Sequence, residues 1–174
     1  MRKQKGFSLI ELLIVVAIIL IIAAIAIPNL LRSKMSANES AAASTVRTLN
    51  TAEVTYSTNF PAVGYATTFT ELGPSADCTD PTTVTSATSC LVDGHLACGA
   101  GPCPKGAYIY QVAGSAAVNG INPDYTISAV PVGNQQGSKT YCSNPDAVVR
   151  FEPFVAQTPT YTLTTCAALA PLPN

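Results

Sequence analysis

Six cysteines and one histidine are the side chains of this sequence that could support redox or metal chemistry. Cys90, His95, Cys98 and Cys103 place three sulfur atoms and one imidazole within a short segment, which is an adequate ligand count for a structural zinc site. Their order differs from the usual zinc-knuckle spacing, and thiols outside the cytoplasm tend to oxidise. We therefore favour disulfides over zinc and predict no metal site. The spacing of six cysteines does not select one pairing among those possible.

No other pattern in the sequence is typical of a catalytic site. His95 lies among cysteines and glycines without a nucleophile-elbow motif, and the chain has neither a phosphate-binding glycine loop nor a C-x-x-C-H haem motif. With 9 Lys and Arg against 10 Asp and Glu, the net charge of -1 provides no basic field for phosphates. We expect a protein that is not an enzyme, has no cofactor and binds no specific nucleic acid.

Glu11 is unusual because it lies inside a long apolar segment. From Phe7 to Leu31 the other residues that are not apolar are Ser8, Pro28 and Asn29, and the segment is long enough to cross a membrane. Three basic residues precede it and predict a cytoplasmic N-terminus: Arg2, Lys3 and Lys5. A carboxylate carried into lipid costs about 2.5 to 3.5 kcal/mol. A transmembrane helix alone therefore gives no reason for Glu11.

Two simple interpretations leave features of this segment unexplained. A cleaved secretory signal peptide fits the small-x-small pattern of Ala24-Ile25-Ala26, but Glu11 would interrupt its apolar region and Pro28 would follow the cut. A plain membrane anchor gives Glu11 no role. A third interpretation uses all of these features.

The segment Lys5-Gly6-Phe7-Ser8-Leu9-Ile10-Glu11-Leu12-Leu13-Ile14-Val15-Val16 resembles the prepilin signal of type IV pilins and type II secretion pseudopilins. Ala26-Ile27-Pro28-Asn29-Leu30 is similar to the usual continuation in that family. The resemblance implies a leader peptide at residues 1–6, which a membrane prepilin peptidase and methyltransferase removes by cutting after Gly6. It also implies N-methylation of the new amino-terminus at Phe7.

Cleavage would give Glu11 a partner. The new α-amino group of Phe7 is a cation at neutral pH, and it would lie close to the apolar run. A buried carboxylate and a buried ammonium are each costly alone and tolerable as a pair. We favour a pair between Glu11 of one subunit and Phe7 of its neighbour, which fixes the stagger of packed helices. The alternative is a contact within one chain, since the two residues are four apart on one helix face.

The distribution of helix breakers predicts the elements that position these residues. Between Phe7 and Phe60 there is no glycine and one proline, Pro28, which indicates one long helix with a kink at that proline. Its transmembrane or filament-core half covers residues 7–31, and its amphipathic half covers residues 32–60. An apolar stripe predicts the buried face of the second half: Ala42, Val46, Leu49, Ala52, Tyr56 and Phe60. Charged residues, Glu53 among them, are expected mostly off this stripe.

The remaining residues, 61–174, are expected to form a globular head. A loop at residues 61–106 comes first, followed by strand patterns at residues 107–113, 125–130 and 147–155, with turns at Asn119-Gly120 and at residues 133–137. The result is an α+β fold, in which the long helix packs on an antiparallel sheet of three or four strands. This arrangement matches the pilin fold.

The resemblance also bears on the cysteines. A bond between Cys142 and Cys166 would enclose a C-terminal loop similar to the disulfide-bounded region of many type IV pilins. We prefer the sequential set in which Cys78 also pairs with Cys90, and Cys98 with Cys103.

These features together predict a structural subunit of a type IV pilus-like filament. The expected partners are other copies of the chain and related pilins, the prepilin peptidase, and the inner-membrane assembly platform. The precursor would span the bacterial inner membrane once, and the filament would be extracellular, serving adhesion, twitching motility or DNA uptake. One alternative is a pseudopilin of a periplasmic type II secretion pseudopilus. Another is a membrane-anchored binding domain that never polymerises and keeps its leader.

Overall fold

The computed structural model describes residues 7–99, 101–154 and 161–173. The leader at residues 1–6, including Gly6, lies outside the described residues. The chain divides into two compact units, Met1–Lys34 and Met35–Asn174. One helix, α1 (Leu9–Asn59), contributes residues to both units.

The first unit contains the apolar part of α1. Its large apolar side chains, from Phe7 to Leu31, are between 47% and 84% exposed. The helix continues through Pro28 without interruption. Among the described residues, α1 is the one helix long and apolar enough to cross a membrane, and none of its apolar window is buried.

The second unit has its own hydrophobic core, to which α1 contributes one face. The predicted stripe is confirmed, because Ala42, Val46, Leu49, Ala52 and Tyr56 are all buried, and Phe60 packs against the same cluster. After α1 ends at Asn59, the chain turns at Gly64, where φ is +86° and the neighbouring Asn122 backbone leaves no room for a β-carbon. Glycine is required there, and it lets the loop lie against the segment before β3.

A single antiparallel sheet covers this part of α1. Its six strands are hydrogen-bonded in sequence order: β1 (Cys103–Lys105), β2 (Tyr108–Gly114), β3 (Tyr125–Pro131), β4 (Lys139–Ser143), β5 (Arg150–Pro153) and β6 (Ala170–Pro171). Two short helices complete the unit: α2 (Phe69–Leu72) and α3 (Leu163–Ala167). α3 lies beside β3 and β4.

The predicted α+β class, with a long N-terminal helix on an antiparallel sheet, is confirmed. The sheet has six strands rather than three or four. The strands without a sequence signal are β1, β4 and β6, which have between two and five residues each. Such short segments contain too few alternations for a period of two to be recognised.

The longer strands differ in how they are buried. In β2 burial alternates, and Tyr108, Tyr110 and Val112 point into the core. In β3 every residue is buried, because neighbouring elements cover both faces of this central strand. Tyr125 and Ile127 of β3 belong to the same cluster as the stripe on α1.

Glu53 is an exception to the expectation that charged residues of α1 lie mostly off its buried stripe. Its side chain is completely buried, and its Oε2 accepts a hydrogen bond from the backbone N–H of Ala66 at 3.0 Å. Burial, with a smaller contribution from the nearby Glu71 carboxylate, raises the pKa of this carboxyl to about 8. The carboxyl is therefore mostly neutral at pH 7, and it joins α1 to the loop that follows it.

Candidate functional site

The N-terminal end of α1 contains a local contact between two of the polar residues of the apolar segment. Ser8 immediately precedes the helix, and its backbone N–H donates to Oε2 of Glu11 at 2.9 Å. This bond is the return half of a capping box, in which a glutamate at the third helical position satisfies the donor at the N-cap. Ser8 is not among the predicted site residues, although Ser-x-x-Glu before an apolar run is a recognisable helix-start signal.

The contact fixes Glu11 in the first turn of α1. A carboxylate there is also favoured by the positive end of the helix dipole. Among the described residues, Oε2 is the atom of Glu11 that has a hydrogen-bond partner, so Oε1 remains free to accept from another donor. Phe7 lies just before the helix and is 84% exposed. The segment thus presents one free carboxylate oxygen beside an accessible residue 7.

The apolar residues that follow are largely exposed in the described part of their unit. Leu9, Leu12, Leu13 and Val16 are each at least 47% exposed. Exposed apolar area of this extent is characteristic of a surface that lipid or other protein chains cover. The geometry therefore supports insertion into a membrane or packing among several helices.

The six cysteines are brought together as three disulfides: Cys78–Cys90, Cys98–Cys103 and Cys142–Cys166. Their Cα–Cα distances are 5.7, 5.6 and 5.9 Å, within the usual range for a disulfide. The zinc alternative loses its ligands, because the sulfurs of Cys90, Cys98 and Cys103 are all in disulfides and His95 is exposed. No cluster of three metal-binding side chains occurs in the described part of the chain.

The disulfides tie different segments of the second unit together. The bond of Cys78 to Cys90 encloses a segment anchored beside α2, where the backbone N–H of Ser89 donates to the carbonyl of Glu71 at 2.8 Å. The bond of Cys142 to Cys166 joins β4 to α3 and is completely buried. By restricting the unfolded chain, a bond of this kind contributes about 2 to 4 kcal/mol.

Comparison with known proteins points to the same N-terminal segment. Residues 1–27 match the family described as the prokaryotic N-terminal methylation motif. The match contains Gly6, Phe7 and Glu11. The N-terminal segment therefore carries this motif.

Two curated proteins are similar to this chain over longer segments. The type IV wide pilus major component PilA4 of Thermus thermophilus is 64% identical over 39 residues, which cover 22% of this chain and 30% of that protein. The type IV major pilin protein PilA of Myxococcus xanthus is 46% identical over 54 residues, which cover 31% of this chain and 24% of that protein. The similarity thus spans less than a third of the length of either relative. No solved structure matches the chain.

Proposed function

Because its N-terminal segment carries the prokaryotic N-terminal methylation motif, we propose that this protein is a structural subunit of a type IV pilus. The observation that carries the proposal is that this motif begins an apolar helical segment with no buried residue, while the second unit buries a core of its own. An exposed apolar surface of this size is typical of a segment that lipid or other protein chains cover. Two relatives named as type IV pilus components support a filament as the final cover.

Processing is the first step of the proposed pathway. The precursor spans the bacterial inner membrane once, with its basic leader in the cytoplasm. A prepilin peptidase and methyltransferase removes residues 1–6 after Gly6 and methylates the amino group of Phe7. The high exposure of Phe7, just before the first turn of α1, supports access by an enzyme.

Assembly is the second step, and Glu11 directs it. The Glu11 carboxylate of one subunit pairs with the methylated Phe7 amine of its neighbour, because each charge is too costly to remain alone among apolar helices. The hydrogen bond from Ser8 occupies Oε2, and Oε1 is available for the pair. A pair between subunits fixes the axial stagger of the helices, whereas a pair within one chain leaves their register unspecified.

Pro28 provides an adjustable point in the packed helices. It lacks a backbone N–H and crowds the carbonyl of Ala24, so the helix loses one hydrogen bond there. We propose that α1 bends or loosens at Pro28 when subunits pack, with the inner-membrane assembly platform supplying them to the growing fibre.

The filament would expose the disulfide-stapled loops of the second unit and serve adhesion, twitching motility or DNA uptake. A pseudopilin of a type II secretion system is the second candidate, since it uses the same processing and assembly. The names of the two relatives favour the pilus. Neighbouring genes for a retraction ATPase would support a pilus, and neighbouring genes for secretion components would support the pseudopilus.

Intact-mass measurement and N-terminal sequencing of the protein from its native membranes and from sheared cell-surface fibres test the proposal. We expect a mass that lacks residues 1–6 and includes one added methyl group, with Phe7 as the first residue. The matched control is Gly6→Leu, which should keep the leader and stay in the membrane fraction. A native protein that retains its leader would establish the non-polymerising anchor instead, and a cleaved protein that is absent from the surface fibres would favour the pseudopilin.

A further inference from the structure

The second unit has an uneven charge balance that leaves one cation unpaired. From Met35 onward the sequence contains four basic and nine acidic residues, and all of them lie in the described part of the chain. Three of the four basic side chains form ion pairs: Lys105 with Asp93 at 3.0 Å, Lys139 with Glu39 at 3.5 Å and Arg150 with Asp146 at 2.6 Å. Arg47, the fourth, has no carboxylate partner among the described residues of this unit.

Arg47 lies on the exposed face of α1, at the rim of two adjoining hollows. One hollow of about 380 Å³ is bounded by Asn50, Thr51 and Val54, and the other, of about 360 Å³, by Val149 and Leu172. Arg47 and Ala147 border both hollows. Because they share these two lining residues, the two hollows together form one groove beside Arg47.

The other polar groups of the groove are already engaged within the chain. The hydroxyl of Thr51 donates to the carbonyl of Arg47 at 3.2 Å, and that of Thr55 donates to the carbonyl of Thr51 at 2.8 Å. The amide of Asn50 donates to Ser143 at 2.8 Å. Of the side chains that line this groove, Arg47 is therefore the one whose N–H donors have no partner within the described chain. Its planar guanidinium is suited to bind a carboxylate.

The same unit has an acidic turn at the surface that contains Asp77 and Asp80. Neither carboxylate forms an ion pair among the described residues. In Asp77, Oδ1 accepts from the backbone N–H and the hydroxyl of Thr79 at 2.8 and 2.7 Å. In Asp80, Oδ1 accepts in the same way from Thr82 at 2.9 and 2.7 Å. The Oδ2 atom of Asp80 has no hydrogen-bond partner among the described residues, and the backbone N–H of Asp80 adds to the stabilisation of the Asp77 carboxylate. The disulfide of Cys78, the residue after Asp77, holds this turn in place.

These hydrogen bonds also keep the turn negatively charged. They lower the pKa of Asp77 and of Asp80, because each bond stabilises the ionised carboxylate. A rigid pair of anions and a free arginine thus occur on one unit that does not join them to each other. A second copy of the chain can join them.

We propose that the groove around Arg47 binds the Asp77–Asp80 turn of a neighbouring copy. This contact would join the second units of two subunits in the filament. The proposal rests on the proposed function, because it assumes that the copies polymerise. The contact is heterologous, since the groove and the turn are different surfaces, and a repeated heterologous contact produces an open helical fibre rather than a closed dimer. A pair at such a rim fixes register and partner choice more than it adds affinity.

Cysteine cross-linking in native fibres tests the contact. The variant Arg47→Cys with Asp80→Cys should form a ladder of covalent oligomers on mild oxidation, visible on a non-reducing gel. All native cysteines in the described chain are in disulfides, so the background is low. The matched control is Arg47→Cys with Asp124→Cys, which uses another acidic residue that has no ion pair and should give no ladder.

Charge reversal provides a second readout that does not depend on cross-linking. Arg47→Glu should lower the yield of fibres by at least about tenfold at equal amounts of processed subunit, because two like charges then face each other. Adding Asp77→Lys and Asp80→Lys to Arg47→Glu should restore the yield. Arg47→Glu should leave folding unaffected, because Arg47 is exposed and lacks an ion pair in the described part of the chain. Asp77→Lys and Asp80→Lys also remove the hydrogen bonds from Thr79 and Thr82, so circular dichroism of the triple variant is needed to check that the second unit still folds.

The outcomes separate this proposal from the proposed function. If the unmodified protein forms no fibres, the proposed function fails. If it forms fibres, and Arg47→Glu forms them equally well with no ladder from the cysteine pair, the groove is not an interface between copies. A ladder from the Asp124 control alone would also overturn the proposal, since it would assign the groove a different acidic partner.

Discussion

At the scale of single residues, Glu11 combines a local role with a proposed role between subunits. Its Oε2 accepts from the Ser8 N–H and thereby satisfies one free donor at the start of α1. The capping role needs a hydrogen-bond acceptor only. The proposed pairing with the Phe7 amine needs a negative charge.

Two substitutions of Glu11 separate these roles. Glu11→Gln retains an acceptor for the Ser8 N–H but removes the charge, and Glu11→Val removes both. We expect both variants to insert into the membrane and to be cleaved after Gly6, and neither to form fibres efficiently. Immunoblots of membrane and sheared-fibre fractions measure this. Fibre formation by Glu11→Gln at the level of the unmodified protein would show that the charge pair is not required.

Glu53 makes the stability of the second unit depend on pH. Its carboxyl has a pKa of about 8 in the folded protein, raised from an ordinary value of 4.5. The folded state therefore holds this proton more tightly than the unfolded state does. The free energy of unfolding should be highest below about pH 4.5, fall between pH 4.5 and 8, and change no further above pH 8 through this group.

Glu53→Gln should remove this dependence. Near pH 8.5 the variant should be more stable than the unmodified protein by more than about 1 kcal/mol, because it buries no charge. Near pH 4 the two should be similar. Urea unfolding of the full chain in detergent, followed by circular dichroism at both pH values, measures the difference. Glu71→Gln is the control, since Glu71 is only partly buried and its removal should lower the pKa of Glu53 slightly. Equal pH dependence in the unmodified protein and in Glu53→Gln would contradict this account.

At the scale of elements, the sequence predicts long periodic segments well and short ones poorly. The apolar stripe of α1 repeats at helical spacing over many turns, and the structure buries it as expected. The strand β2 alternates over seven residues, and it nearly coincides with the strand pattern predicted at residues 107–113. By contrast, β4 has five residues and β6 has two, so their places depend on neighbouring strands rather than on their own pattern.

Glu53 shows why the burial of a charged residue was not predicted. Its position lies beside the apolar stripe, and a lone carboxylate there is expected to face water. The loop after α1 instead places the Ala66 N–H against it, at a sequence distance that no periodic pattern reveals. The contact between Ser8 and Glu11 was missed for a different reason. Its signal, Ser-x-x-Glu before an apolar run, is present in the sequence, but a carboxylate within an apolar segment is more typical of a charge pair than of a helix cap.

The disulfides should differ in their contributions to stability. Cys142–Cys166 joins β4 to α3 across 24 residues, whereas Cys98–Cys103 spans 5. A bond that closes the longer loop restricts the unfolded chain more. Replacing Cys142 and Cys166 by alanine should lower the free energy of unfolding by about 2 to 5 kcal/mol.

The matched control is the double alanine variant of Cys98 and Cys103, which should cost less. Thermal or urea unfolding of both variants under non-reducing conditions provides the comparison. The account of the stapled C-terminal region would be contradicted if the Cys142 and Cys166 variant were the more stable of the two.

At the scale of the whole molecule, the two units have different relations to solvent. The second unit buries the apolar stripe of α1, the inner face of its central strands and the disulfide between Cys142 and Cys166, and needs no other chain to do so. The first unit leaves its apolar side chains uncovered. This contrast was predictable, because a run of apolar residues with few polar interruptions is read directly from the sequence. The proposed contacts between copies depend on single residues, Glu11 and Arg47, and the structure of one chain is needed to recognise which of their atoms lack a partner among the described residues.

A high-resolution reconstruction of native fibres tests the central claim most directly, namely that proteolysis supplies a cationic partner for a carboxylate buried among apolar helices. The account predicts that the chain begins at Phe7, and that its methylated amine lies within about 4 Å of the Glu11 carboxylate of an adjacent subunit. A well-resolved map in which Glu11 has no cation nearby, or in which residues 1–6 are still attached, would contradict it.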